Sequence, residues 1–215
     1  MHDLTAPPSV DGSKEKLLAS AERLFADRGF NGVSVRDIAS QAGVNSALVA
    51  YYFGNKRGLL SAVYLRHCQP LNQERLRLLR EFSRADGGAT LEQVLEAFLR
   101  PALAVSPGGD GSCEFTRLRA ILCGENSELL EEIIEENFDR PSQLFIEAFA
   151  RCLPQLRRDD LLWRFHFLLG TLYHTGSHAR RLQALSEGKC NPSNTEDCLK
   201  QLIPFLVAGF RLPSI

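Results

Sequence analysis

SVRDIASQAGVNSALVAYYFGNKRGLL, residues 34–60, is the stretch whose reading decides the fold of this chain. Val35, Ile38, Ala39 and Ala42 recur at helical spacing, Ser34 stands at the N-cap with Asp37 three residues on, and Gly43 follows the last apolar position. This predicts a short helix with a capping box at its start and a left-handed glycine at its stop. Val44 points back toward a small core, and Asn45 caps a second helix whose buried side holds Val49, Tyr52 and Phe53. The opposite side holds Asn45, Ser46, Ala47, Ala50 and Tyr51. Small side chains there permit close approach to base edges, while Asn and Ser supply the hydrogen bonds by which a groove is read. After the Gly54-Asn55 turn, Lys56 and Arg57 open a third helix, so two cations lie beside a helix N-terminus, a place suited to phosphate. Two short helices about a glycine turn, ending on a basic edge, read as a helix-turn-helix.

Upstream, Lys14 to Arg28 reads as an amphipathic helix with Leu17, Leu18, Ala21, Leu24 and Phe25 on one face, followed by a turn at residues 29–32. It covers the back of the other two. The region from Ser13 to Leu60 resembles the N-terminal domain of the TetR/AcrR family of bacterial transcription regulators. The resemblance rests on Ala21, Leu24-Phe25, Gly29-Phe30, Ser34 to Ala39, Ala42-Gly43-Val44, Tyr51-Tyr52-Phe53, Lys56 and Leu59-Leu60. It implies Ser34, Tyr51 and Lys56 as phosphate contacts, Arg36 as a groove or phosphate contact, and Ser46 and Ala47 as the leading edge of the recognition helix. Ser34 has a second reading as a cap alone, Tyr51 as packing, and Arg36 and Lys56 as solvated charges. Leu48 and Ala50 depart from the family pattern, which has a hydroxyl residue at the first and often an aromatic or amide at the second. Base reading then leans on Arg36, Asn45 and Ser46.

The whole chain carries a net charge of −1, but residues 13–60 carry +3, so the cationic excess lies where DNA would be. A hydrophobic content of 44% over 215 residues excludes a disordered protein. Pro7, Pro8, Gly12, Asp3 and Asp11 make residues 1–12 read as a flexible leader and not a signal peptide. Arg164 and His166 interrupt the longest apolar stretch too soon for a bilayer span, which predicts no membrane partner and a cytoplasmic protein. The six cysteines, at 68, 113, 123, 152, 190 and 198, form no CxxC pair. There is no phosphate loop, nucleophile elbow or HExxH, so catalysis finds no foothold and no cofactor is implied.

Beyond residue 60 the pattern is helices separated by Gly-, Pro- and Ser-rich breaks at 84–89, 105–112 and 187–194. Helices are expected near 56–83, 90–103, 113–123, 127–153, 159–185 and 195–210, with a kink at Pro70 that is either a bend around the core or a joint transmitting ligand-driven tilting. The fold expected is all-α: a helix-turn-helix domain at 13–60 and a regulatory and dimerisation bundle at 61–215. The helix from Asp159 is apolar over a broad arc, and Gly170 and Gly176 permit close helix approach. Leu169, Gly170 and Tyr173 with Leu202, Leu206 and Phe210 are the expected dimer contacts; the family resemblance implies a four-helix interface, and a palindromic operator needs two recognition helices.

Leu153-Pro154 and Asp160 to Gly170 look like the C-terminal domain of a branch of the family that includes regulators of fatty-acid metabolism. A pocket for a small apolar or acyl-type effector is expected among Phe98, Phe115, Phe145, Phe149, Trp163 and Phe167, with Phe138 beside them and Arg119 or Arg117 as a carboxylate anchor. His174 and His178, four apart on one helix face, could bind a metal, but without a nearby carboxylate or thiolate in sequence they make a weak site, and a solvated or interface role is the other reading. The expected function is a homodimeric repressor of double-stranded operator DNA, released by a small-molecule effector. The alternatives are a regulator sensing through cysteine or metal, and a helical enzyme or adaptor that binds no DNA.

Overall fold

A computed structural model describes residues 10–84, 86–104, 118 and 128–214. Among these are nine helices: α1 Val10–Arg28, α2 Val35–Ala42, α3 Ala47–Phe53, α4 Lys56–Phe82, α5 Leu91–Ala104, α6 Glu128–Cys152, α7 Arg158–Ser177, α8 Ala179–Leu185 and α9 Thr195–Phe210. The described residues contain no strand, in keeping with the all-α expectation. The first helix begins at Val10, inside the stretch read as a leader; residues 1–9 and the helix expected at 113–123, apart from Leu118, lie outside the described residues. The helix expected at 159–185 is two: His178 adopts φ −121°, ψ 25°, after the weak helix formers Gly176 and Ser177, and α7 ends there.

The chain divides into two compact units. Of the described residues, the first takes in those up to His67, Leu118 and 128–133, and the second takes in 68–104 and 134–214. The first unit therefore ends beyond Leu60, because Leu59, Leu60, Val63 and Tyr64 of α4 are all buried in its core. Leu17, Ala21, Phe25 and Ala26 of α1 meet Ile38 and Ala39 of α2 and Val49 of α3 in that core, each at most 2% exposed. The amphipathic face read from the sequence is the face that packs. Arg66 of α4 pairs with Glu15 of α1 at 2.6 Å, and His67 lies 2.8 Å from the buried carboxylate of Glu22.

In the second unit α5, α6, α7 and α9 share one apolar core. Its centre is aromatic: Phe98 stands edge-on to Phe145 at 5.0 Å and to Phe165 at 5.4 Å between ring centroids, and Phe149 meets Phe210 at 4.9 Å. Arg164 of α7 donates to the carbonyls of Leu212 at 2.7 Å and Phe210 at 2.5 Å, satisfying backbone acceptors at the end of α9.

Four helices carry an internal proline, at 70, 101, 141 and 204. Each lacks the amide that would reach the carbonyl four residues back. For Pro141 that carbonyl belongs to Asn137, and the buried Asn72 Nδ2 donates to it at 3.0 Å. One turn along α4, the buried Arg75 donates through Nε to the Phe98 carbonyl, three residues before Pro101, at 2.8 Å. The same guanidinium lies 3.8 Å above the Phe98 ring. Asn72 thus supplies the donor that Pro141 lacks, while Arg75 adds a second donor to a carbonyl of α5.

Candidate nucleic-acid interface

The frame of the interface is built from backbone hydrogen bonds closed by side chains. Ser34 is the N-cap of α2: its Oγ accepts from the Asp37 amide at 3.2 Å, and its own amide donates to Asp37 Oδ2 at 2.9 Å. The Ser34 hydroxyl also donates to Asp37 Oδ2 at 2.6 Å, and these bonds hold the Asp37 carboxyl below its ordinary value. At the other end Gly43 adopts φ 65°, with the Gly43 amide bonded to Ser40 and the Val44 amide to Ala39, a Schellman stop that only glycine meets without strain. Asn45 Oδ1 accepts from the Ala47 amide at 2.8 Å and so starts α3. Ser46 makes no capping bond.

This frame turns one face of α3 outward. Val49 is fully buried, whereas Ser46, Ala47 and Ala50 are exposed and Tyr51 is 75% exposed, its ring edge-on to Tyr52 at 4.9 Å. The half-buried Leu48 lies between the two faces. Arg36, on the first turn of α2, is exposed and has no acidic partner among the described residues. Lys56 opens α4 with its ammonium 4.1 Å above the Phe30 ring, a contact that holds the charge at this edge. An exposed small-residue helix face between fixed cations suits a polyanion with readable edges.

The structure brings Asn45, Ser46, Ala47 and Tyr51 together on one short segment, with Ser34 and Arg36 on α2 and Lys56 on α4. It also changes two readings. Ser34 is a cap, with both its donors engaged by Asp37. Arg57 is ion-paired with Glu132 of α6, both side chains about half exposed, so its charge is shared with a carboxylate and not offered beside Lys56 alone. Three features escaped the sequence reading. Asn55 Oδ1 accepts from the Gly58 amide at 2.9 Å and caps α4, a signal legible as Asn three residues before the bonded amide. A Cβ at Gly58 would stand 2.0 Å from the Phe53 carbonyl oxygen, so glycine is required where the two helices nearly touch. The Arg57–Glu132 pair joins residues 75 positions apart, and no local pattern announces it.

Phe98, Phe145 and Phe149, expected to line an effector pocket, are close-packed core rings instead. Trp163 and Phe167 are 62% and 60% exposed, so they face away from that core, while Phe115 and Arg119 lie outside the described residues. The expected dimer contacts divide similarly. Leu202, Leu206 and Phe210 are buried within the unit and Leu169 packs partly against its core, whereas Gly170 and Tyr173 are exposed. Helical phase explains the split: Leu161, Phe165, Leu168 and Leu172 occupy the inner stripe of α7, which leaves Trp163, Phe167, Gly170 and Tyr173 outside. Among the described residues no three metal-ligating groups cluster, and no helix is long and apolar enough to cross a membrane.

Residues 17–63 match the family described as bacterial regulatory proteins, tetR family, and residues 96–209 match the tetracyclin repressor-like C-terminal domain. The probable HTH-type transcriptional regulator YttP of Bacillus subtilis is 50% identical over 48 residues, covering 22% of this chain and 23% of that protein. That likeness is thus confined to less than a quarter of the relative. The Tn10 TetC protein of Escherichia coli is 26% identical over 186 residues, covering 81% of this chain and 84% of that one. Among solved structures, the regulator FadR from Bacillus subtilis in complex with stearoyl-CoA superposes with a TM-score of 0.65 at 16% identity, over 91% of this chain and 98% of FadR. At that identity the likeness is one of fold.

Proposed function

The chain belongs to the TetR family of bacterial transcription regulators, and from that premise we propose that it is a repressor that binds a palindromic operator as a homodimer and is released by a small apolar or acyl-type effector. The observation that carries this reading is the outward face of α3, framed by two side-chain caps and flanked by Arg36 and Lys56. Ser46, Ala47 and the Asn45 amide meet base edges; Arg36, Tyr51 and Lys56 meet phosphate, with Ser34 serving chiefly to hold α2 at the angle the others need.

Two such faces are joined through the second unit. Trp163, Phe167 and Tyr173 of α7 and Phe205 of α9 are exposed apolar side chains, and this reading takes them as surface that the second copy covers. The effector is taken by the second unit, a reading supported by the likeness in fold to an acyl-CoA-bound regulator. It acts by binding one of two conformations of the dimer more tightly than the other. A thiol sensor has less support: burial pushes both Cys152 and Cys198 above the ordinary thiol range, away from reactive thiolate.

Selection of duplexes from a random pool by the purified chain tests the reading. It predicts an inverted repeat whose half-sites lie about one helical turn apart or a multiple of it. Recovery of no consensus, or of a single unrepeated half-site, would refute it.

A further inference from the structure

The bond from Asn72 to the Asn137 carbonyl sets α4 and α6 side by side, and further along both helices, in the same direction, they enclose a groove of about 480 Å³. Its size lies within the roughly 300–1,000 Å³ common for small-molecule sites. Leu76, Leu79, Arg80 and Arg84 come from the α4 side and Leu144, Glu147 and Arg151 from α6. All belong to the second unit, and none is on α7 or α9, the helices given above to the second copy.

The two walls run in the same order. Leu76, Arg80 and Arg84 follow at steps of four residues, and Leu144, Glu147 and Arg151 at steps of three and four, so each wall begins on a leucine and ends on an arginine. At the rise of a helix the two ends lie about 11 Å apart. Leu79 is buried beneath them, and Leu144 is 39% exposed. The groove therefore has an apolar end and a cationic end.

Its cations are not spent on the fold. α4 engages its other arginines internally: Arg57 with Glu132, Arg66 with Glu15 at 2.6 Å, Arg75 with the Phe98 carbonyl at 2.8 Å, and Arg77 with Glu74 and Glu81 at 2.8 Å. Arg80, Arg84 and Arg151 are exposed and have no acidic partner among the described residues. Arg80 and Arg151 stand in the last turns of their helices, where they offset the carbonyl ends. Each such end is worth about half a negative charge, which three guanidinium groups outweigh even beside Glu147. A guanidinium presents a planar fork of donors, and three of them offer more than the two oxygens of a carboxylate take up. A phosphate monoester brings three oxygens and a charge of about −2.

We propose that this groove binds a small phosphate monoester with an apolar body, the phosphate held by Arg80, Arg84 and Arg151 and the body lying on Leu76, Leu79 and Leu144. The site lies apart from the aromatic core in which an effector pocket was expected. It concerns binding alone and holds whether or not its occupant releases DNA.

Calorimetric titration of the full chain, without DNA, with phenyl phosphate, benzoate and inorganic phosphate tests it. Phenyl phosphate is expected to bind one per chain, at least tenfold more tightly than either of the others. Arg84→Gln with Arg151→Gln is expected to weaken it tenfold or more, Leu144→Asp to weaken it too, and Glu147→Gln to tighten it by removing a like charge. If the arginines serve only the helix ends, the double variant lowers the thermal midpoint and the parent chain binds no phenyl phosphate, which overturns the proposal. Benzoate or inorganic phosphate binding as tightly as phenyl phosphate overturns it as well. Glu147→Gln keeps it falsifiable should the arginine variant unfold, since unchanged or weaker binding there is also contrary to it. A response that follows Arg36→Gln instead puts the anion at the DNA interface; it refutes this groove and leaves the regulator reading standing.

Discussion

Removing Arg36 should flatten the salt dependence of DNA binding, and the structure sets by how much. Arg36 is exposed and has no acidic partner among the described residues, so Arg36→Gln removes a charge without breaking a fold contact. Arg57 is ion-paired with Glu132, and the phosphate contacts proposed above are Arg36 and Lys56 of each half-site. A dimer then neutralises about four phosphates, and at about −0.9 per phosphate the slope of log affinity against log salt is about −3.6. Between 50 and 200 mM salt the affinity should fall about 150-fold. With Arg36→Gln the slope should be about −1.8 and the fall about 12-fold. Glu132→Gln should act the other way: it releases Arg57, and the slope should steepen toward about −5.4. Fluorescence anisotropy on one labelled duplex, across a salt series for the three proteins, measures all of this. A slope that does not change in either variant would refute both the phosphate assignment and the role given to Glu132.

Other expectations follow from packing and titration. Gly58→Ala should destabilise the first unit by about 1–3 kcal/mol, although glycine-to-alanine changes inside a helix commonly stabilise, because the new Cβ meets the Phe53 carbonyl oxygen at 2.0 Å; a raised melting temperature would contradict the close approach. Asn72→Leu should cost about 1–2 kcal/mol by stripping the Asn137 carbonyl of its donor, and clearly less in a Pro141→Ala background, where a helical amide is restored; equal costs in both backgrounds, by denaturation at fixed protein concentration, would separate the two residues. Phe167→Glu with Phe205→Glu should yield monomers in sedimentation, whereas Leu206→Ala should instead cost about 2–5 kcal/mol of stability, since it empties space in the core. Asp37, Glu74 and Glu196 are held below their ordinary values by bonds from Ser34, Arg77 and Arg100. The stability they add is therefore fully present above the ordinary carboxylate range, about pH 4, and is lost as pH falls through their lowered values. Melting from pH 6 to pH 3 should show that loss, and Glu196→Gln should reduce it.

The sequence by itself determined what depends on near neighbours. Helical spacing, the Ser34–Asp37 box, the glycine at 43 and the asparagine at 45 are interactions within a few residues, so the caps and the outward face of α3 are legible in the sequence. Helix ends near 82, 104, 152 and 210 were legible from breaks in the pattern for the same reason. What the tertiary structure decided depends on partners far along the chain. Apolar periodicity gives each helix an inner stripe but does not say which of two apolar stripes meets the core; packing puts Leu202, Leu206 and Phe210 inside and leaves Trp163, Phe167 and Phe205 exposed. The pairing of Arg57 with Glu132 and the donation from Asn72 to the carbonyl left by Pro141 join residues whose proximity follows from helix packing. A local pattern fixes a residue's own backbone; only the packed chain fixes which distant charge or carbonyl it meets.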